Sequence, residues 1–202
     1  MKEDICPEKV APVSATFYFY TVMTRYIAFL RAINVSGQKI IKMEDLRRMM
    51  EMPGISDVRT FIQSGNVLLD AKETNAAKLT VKIEKQLFKE LGYEVEVFLR
   101  TKEELEKILS NNPFKKATLS KSLALYITFL RTEPEAEQKK ALEALSNEVD
   151  TFRIIGRELY TLVVKDGAKS LYTNMFVERK LKQQGTARNQ TTLHKILALF
   201  NQ

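Results

Sequence analysis

The 202-residue chain has no tryptophan, one cysteine and one histidine. A single thiol excludes a disulfide framework, and one Cys with one His excludes a zinc site built mainly from those ligands. Seven glycines and five prolines are too few for a collagen-like, linker-like or low-complexity chain. No apolar run approaches the roughly 18 residues that a membrane span needs. The first residues carry mixed charges (Lys2, Glu3, Asp4, Glu8, Lys9), and the later Phe17–Tyr20 stretch is short and ends in polar Thr21, so no secretory signal is expected. The expected compartment is the cytoplasm, with no membrane partner. What is present is 45% hydrophobic and 28% charged residues with a formal net charge of +7, the balance of a globular protein.

Residues 1–22 read as an N-terminal extension in which Phe17, Tyr18, Phe19 and Tyr20 could add a strand; regular patterning begins at Met23. The strongest internal signal is a repeat. Tyr26-Ile27-Ala28-Phe29-Leu30-Arg31 recurs as Tyr126-Ile127-Thr128-Phe129-Leu130-Arg131, identical at five of six positions. Similar elements follow each copy. After the first, Met43, Leu46, Met49 and Met50 mark a helix, and Val58–Ile62 and Val67–Leu69 mark a strand pair about Ser64-Gly65-Asn66. Leu79, Ile83, Leu87 and Leu91 then mark a long helix, and Glu94–Leu99 a fourth strand. After the second copy come a helix over 134–145, a hairpin at Gly156-Arg157 and a helix over about 169–183. No clear fourth strand follows there: a short polar stretch after Gly185 leads to another helix. Asn66 is expected at the positive-φ place of its turn.

The order β-α-β-β-α-β predicts an α+β protein of two ferredoxin-like halves related by internal duplication, the second modified at its C-terminal end. The expected division is 1–22 for the extension, 23–112 for the first half with its connecting helix, and 113–202 for the second half with its C-terminal helix. Thr101 and Glu104 form a capping box at the start of the connecting helix. Both copies of the repeated strand are apolar on both faces, so helices should cover one face and the partner half or another chain the other.

Four motifs occur in order: Leu30-Arg31-Ala32-Ile33-Asn34-Val35-Ser36-Gly37, Phe61-Ile62-Gln63-Ser64-Gly65-Asn66-Val67, Asn112-Pro113-Phe114 and Thr186-Ala187-Arg188-Asn189. Together they resemble the bacterial family called domain of unknown function 1697, over about residues 23–202. The resemblance implies paired ferredoxin-like halves and a cytosolic protein, and it implies no established activity. The chain departs from the family pattern at Ala32 and Ser36, where Gly is usual, and at Gln190, where an aromatic residue is usual.

The motif side chains are guanidinium, amide and hydroxyl groups, without carboxylate or imidazole. General acid–base work needs a group titrating near the operating pH, and a hard-metal site needs carboxylate oxygens. Guanidinium and amide donors suit phosphates and carboxylates. The candidate anion-binding residues are therefore Arg31, Asn34, Gln63, Ser64, Asn66, Arg188, Asn189 and Thr191, with no metal, no cofactor and no assigned catalytic residue. The sharpest version places the anion at the helix start after Asn189, beside Arg188. The plain alternative makes Asn189 a helix cap and Ser64 a turn residue. Between 165 and 202 there are seven basic residues against two acidic ones, a footprint compatible with weak nucleic-acid binding. The expected function is binding of an anionic small molecule; the alternatives are an enzyme acting on a phosphorylated or carboxylated metabolite, or a nucleic-acid- or partner-binding module, as monomer or homodimer.

Overall fold

The computed structural model describes residues 23–35, 40–167 and 169–200; the aromatic stretch 17–20 and the motif residues Ser36 and Gly37 lie outside them. The first half runs β1 (Thr24–Leu30), α1 (Met43–Met50), β2 (Ile55–Phe61), β3 (Asn66–Ala71), α2 (Ala76–Leu91), β4 (Val97–Thr101) and α3 (Lys102–Ser110). The second runs β5 (Leu123–Leu130), α4 (Ala136–Glu143), β6 (Asp150–Ile155), β7 (Glu158–Val164), α5 (Asn174–Leu181), β8 (Gly185–Asn189) and α6 (Gln190–Leu199). Each half builds a four-stranded antiparallel sheet, in the orders β2-β3-β1-β4 and β6-β7-β5-β8. The repeated segments are inner strands of both. Among the described residues, no helix is long and apolar enough to cross a membrane.

Local chemistry sets the helix ends. Asn75 accepts from the Lys78 amide at the start of α2, and Gly92 closes it at φ 75°. Thr101 and Glu104 make the reciprocal capping box at the start of α3.

Two expectations are corrected. The second half does have its fourth strand. The polar run after Gly185 is β8, paired with β5 from Tyr126–Asn189 to Leu130–Gly185. Five residues carrying a Gly, a Thr and an Asn show no readable two-residue period. Close packing fixes them instead, since a Cβ at Gly185 would meet Thr128 Cγ2 at 2.9 Å and the Phe129 carbonyl oxygen at 3.1 Å. The first hairpin, four residues long, also does not put Asn66 at a positive φ. Ile62 (φ 50°) and Gly65 (φ 68°) take the left-handed places, while Asn66 begins β3 and is fully buried. A β-branched residue at positive φ is strained, and only surrounding structure holds it there.

Alternation along β1 divides the core. Tyr26, Ala28 and Leu30 face α1 and α2, packing with Leu46, Met50, Leu79 and Ile83. Ile27 and Phe29 face the opposite way, into a seam shared with Ile127 and Phe129 of β5 and closed by Leu105 and Ile108 of α3 and Leu193 and Ile196 of α6. Leu130 turns outward onto Leu142, Phe152, Val177 and Leu181. The second face of each repeated strand is thus covered by the other half of the same chain. At the centre Phe29 and Phe129 stack with ring centroids 4.2 Å apart and planes within 12°. Replacing one ring removes a fully buried aromatic and leaves a cavity between two sheets. Phe129→Ala should therefore cost about 3–5 kcal/mol, read as a fall in the urea midpoint with the chain still cooperative; a loss under about 1 kcal/mol would mean that the seam does not hold the halves together.

Candidate functional site

Two arginines enter the seam from corresponding strand positions. Arg100 on β4 lies opposite Ile27, and Arg188 on β8 lies opposite Ile127. Each guanidinium covers the phenylalanine of the other half: Arg100 over Phe129 at 5.3 Å, Arg188 over Phe29 at 5.4 Å.

Arg188 is a structural knot. Its Nε donates to Asn66 Oδ1 (2.6 Å), its Nη1 to Thr186 Oγ1 and the Ala187 carbonyl (both 2.8 Å), and its Nη2 to the carbonyls of Ser64 (2.8 Å), Leu30 (3.0 Å) and Gly65 (3.3 Å). Burial pulls its pKa down to about 10, against the smaller opposing influence of Tyr172. All five guanidinium N–H groups thus meet protein acceptors. The anion expected between Arg188 and the start of α6 finds no donor there on this side chain. Asn189 caps α6 by accepting from the Thr191 amide at 2.8 Å, and Thr191 itself is exposed.

The other motif residues are also engaged. Arg31 forks onto Glu178, Nε at 2.7 Å and Nη2 at 2.8 Å, with Glu96 at 3.3 Å. Asn34 closes its loop by donating to the Ile41 carbonyl (3.0 Å) and accepting from the Ile41 amide (2.7 Å). Asn66 donates to the Phe61 carbonyl (3.1 Å) and to Ser64 Oγ (2.8 Å). Gln63 is exposed on the turn. The structure therefore brings Ser64, Asn66 and Arg188 together, with the end of β1, as one hydrogen-bonded junction; Arg31, Asn34, Asn189 and Thr191 sit elsewhere. Of the basic residues after 164, Arg188 is buried, and Lys165 and Lys180 lie over Tyr126 and Phe176.

Arg100 contrasts with Arg188. Its Nε and Nη2 share one acceptor, Glu158 Oε1, at 2.9 and 2.7 Å, and its Nη1 donates to the Leu99 carbonyl at 2.7 Å. It is 2% exposed, and burial lowers its pKa against the pull of Glu158. Two acceptor atoms serve a group with five donors. Beside it lies a cavity of about 270 Å³ between α2, β4 and the second half, lined by Ala77, Thr80, Phe98, Arg100, Arg131 and Arg157 among others. Among the described residues that line it, no carboxylate appears. Arg131 and Arg157 are half-exposed and paired outward, with Glu84 (2.7 Å) and Glu104 (2.8 Å). None of the three is among the candidate residues that the motifs supply. The available signal was Phe98-Leu99-Arg100-Thr101, which matches Thr186-Ala187-Arg188-Asn189 in placing an Arg directly before a helix cap.

The cavity opens beside a charged cluster. Glu84 and Glu178 occupy corresponding places: they accept from the first amides of β4 and β8, Val97 and Gly185, and from Arg131 and Arg31 of the opposite half. Glu96 joins the cluster, its enclosed Oε2 3.3 Å from Arg31 Nη1, an ion pair without hydrogen-bond geometry.

The architecture is that of a two-sheet α+β protein whose halves meet at an apolar seam entered by two buried arginines. The family model described as "Protein of unknown function (DUF1697)" matches residues 23–160, and the chain belongs to that family. A solved structure, the conserved bacterial protein SP0830 from Streptococcus pneumoniae, is similar with a TM-score of 0.73 and 23% identity, over 90% of this chain and 100% of that one. At that identity the likeness shows the fold. No curated protein matches the chain.

Two predictions follow from these environments. Arg188→Ala strands acceptors on three strands and a turn, and should cost at least about 3 kcal/mol; a nearly unchanged unfolding midpoint would mean that the junction is not structural. Glu96 is raised above its ordinary carboxylate value of 4.5 by burial, which outweighs the opposing Arg31 and Arg131, with smaller help from Glu178 and Glu84. An acid whose folded pKa is raised holds its proton longer when folded, so stability falls as pH rises from 4.5 through that pKa. Glu96→Gln should then gain on the native chain in thermal midpoint between pH 4.5 and pH 7.5, and an equal difference at both pH values would contradict this.

Proposed function

We propose that the chain is a pair of ferredoxin-like units related by internal duplication, and that it binds a small anionic molecule, carboxylate- or phosphate-bearing, in the seam cavity walled by Arg100, Arg131 and Arg157. The observation that carries this reading is the lining itself: three guanidiniums and Thr80 around a mostly apolar space of about 270 Å³, with no carboxylate among the described lining residues. Guanidinium forks match carboxylate and phosphate oxygens, and low polarity around them strengthens the contact. The ion pairs of Arg131 and Arg157 are half-exposed. Such pairs are worth no more than about 1 kcal/mol, so an entering anion can recruit both heads cheaply. The duplication supports the same site, because the strand order is shared while only one of the two seam arginines is fully supplied with acceptors.

Thermal unfolding in the presence of inorganic phosphate, sugar phosphates and small carboxylic acids tests the reading. A ligand at 100 times its Kd raises stability by about 2.7 kcal/mol through linkage. The expected result is an upward shift with at least one of these anions, lost in an Arg131→Ala/Arg157→Ala double variant whose own midpoint stays near that of the native chain. A shift that survives in the double variant, or none with any anion, overturns the proposal.

A further inference from the structure

Resting on that anion site, we infer that its ligand is a phosphate monoester of a sugar or other polyol. The phosphate sits among Arg100, Arg131 and Arg157, and the hydroxylated part lies against Lys107, Asn111 and Glu158. The observation is a second cavity, of about 260 Å³, that shares Arg100 and Arg157 with the first. The two are neighbouring compartments of one cleft that meet at those two guanidiniums. Together they reach the size of a small-ligand site, roughly 300–1,000 Å³. Arg100 is the fixed point of both. It is 2% exposed, and its hydrogen bonds, one from each nitrogen, leave a spare N–H on Nη1 and on Nη2.

The two compartments differ in chemistry. The first holds three guanidiniums and no carboxylate among its described lining residues. A phosphate monoester offers three terminal oxygens to three forks, one more than a carboxylate. The second mixes donors with acceptors: Glu104, Lys107, Asn111, Arg157 and Glu158 line it, beside Tyr160. Glu104 is engaged through both oxygens, by the Thr101 amide and by Arg157. Glu158 is engaged through one, since both bonds from Arg100 end on Oε1. Its Oε2 lies on the side of Gly156, where a Cβ would stand 3.7 Å away, and the glycine keeps that approach open. Lys107 and Asn111 stand exposed in the last turn and at the cap of α3, offering an ammonium and an amide. An aliphatic chain would take these groups from water without giving them partners, and an ammonium would face Lys107 and Arg157. Hydroxyls suit them, because each both donates and accepts.

Calorimetric titration of the full chain with ribose 5-phosphate, pentyl phosphate, inorganic phosphate and acetate tests the assignment. Ribose 5-phosphate should bind about tenfold or more tightly than pentyl phosphate, the difference expected for hydrogen bonds between hydroxyls and charged partners. In a Lys107→Ala/Asn111→Ala double variant that ratio should fall to about twofold or less, with pentyl phosphate still bound. Both positions are exposed, and the thermal midpoint of the variant checks that it is folded. Equal affinity of the two esters for the native chain overturns this inference while leaving the anion site standing. So does a preference undiminished in the double variant, or binding of acetate where no phosphate binds. Failure of every anion removes both readings together.

Discussion

A guanidinium taken out of water must be given acceptors in fixed directions, and two of them lie between the sheets of this chain. The apolar seam by itself, with Phe29 on Phe129 and the stripes of α3 and α6 around them, sets how closely the halves approach. It does not set their rotation or register, since dispersion and hydrophobic contact are nearly directionless. Arg188 does. Through one side chain it grips the end of β1, the turn at Ser64-Gly65 and the start of β3, all in the opposite half. Arg100 makes the reciprocal reach to Glu158 at the start of β7. The positive φ at Ile62 becomes intelligible in this setting: the turn is held in the shape that delivers its carbonyls to Arg188.

The two sides of the seam then diverge in one respect. The first half spends four residues, 62–65, between β2 and β3, whereas the second spends two, Gly156 and Arg157, between β6 and β7. The longer turn brings its carbonyls to Arg188. The shorter one leaves Arg100 with Glu158 and its neighbouring carbonyl, next to open space. The hairpin difference is thus what separates a fully supplied arginine from one with donors to spare.

Much of this architecture is legible in the residues, and the illegible parts have physical causes. The repeat at 26–31 and 126–131 announces both inner strands, and their two-sided apolarity announces that each is covered twice. The Thr101–Glu104 capping box is local chemistry and reads directly. β8 does not read, because its pairing depends on the close approach of Gly185 to β5 rather than on any alternation. The chemistry of the motifs is legible as donor chemistry, yet its use is not. Nothing local to Thr186-Ala187-Arg188-Asn189 says that four of the six acceptors lie 122 to 158 residues away, inside the protein. Arg100 is hidden for the complementary reason: Phe98-Leu99-Arg100 looks like an ordinary strand end until its register against β1 is known.

The charged cluster at the end of the seam joins these two themes. Glu84 holds both the first amide of β4 and the guanidinium of Arg131, and Glu178 does the same for β8 and Arg31. Each carboxylate thus ties a strand of its own half to the loop that leaves the central strand of the other. A ligand that draws Arg131 inward weakens the Glu84–Arg131 pair while leaving the Val97 amide bonded. The displaced interaction is half-exposed and weak; the buried Arg100–Glu158 and Arg188–Asn66 contacts stay in place. On the proposed reading, binding in the cleft would exchange a half-exposed pair for enclosed contacts and leave the buried ones between the sheets in place. The asymmetry is one of burial: the arginines at the mouth hold half-exposed pairs that cost little to break, whereas those in the seam hold enclosed ones that fix how the two sheets meet.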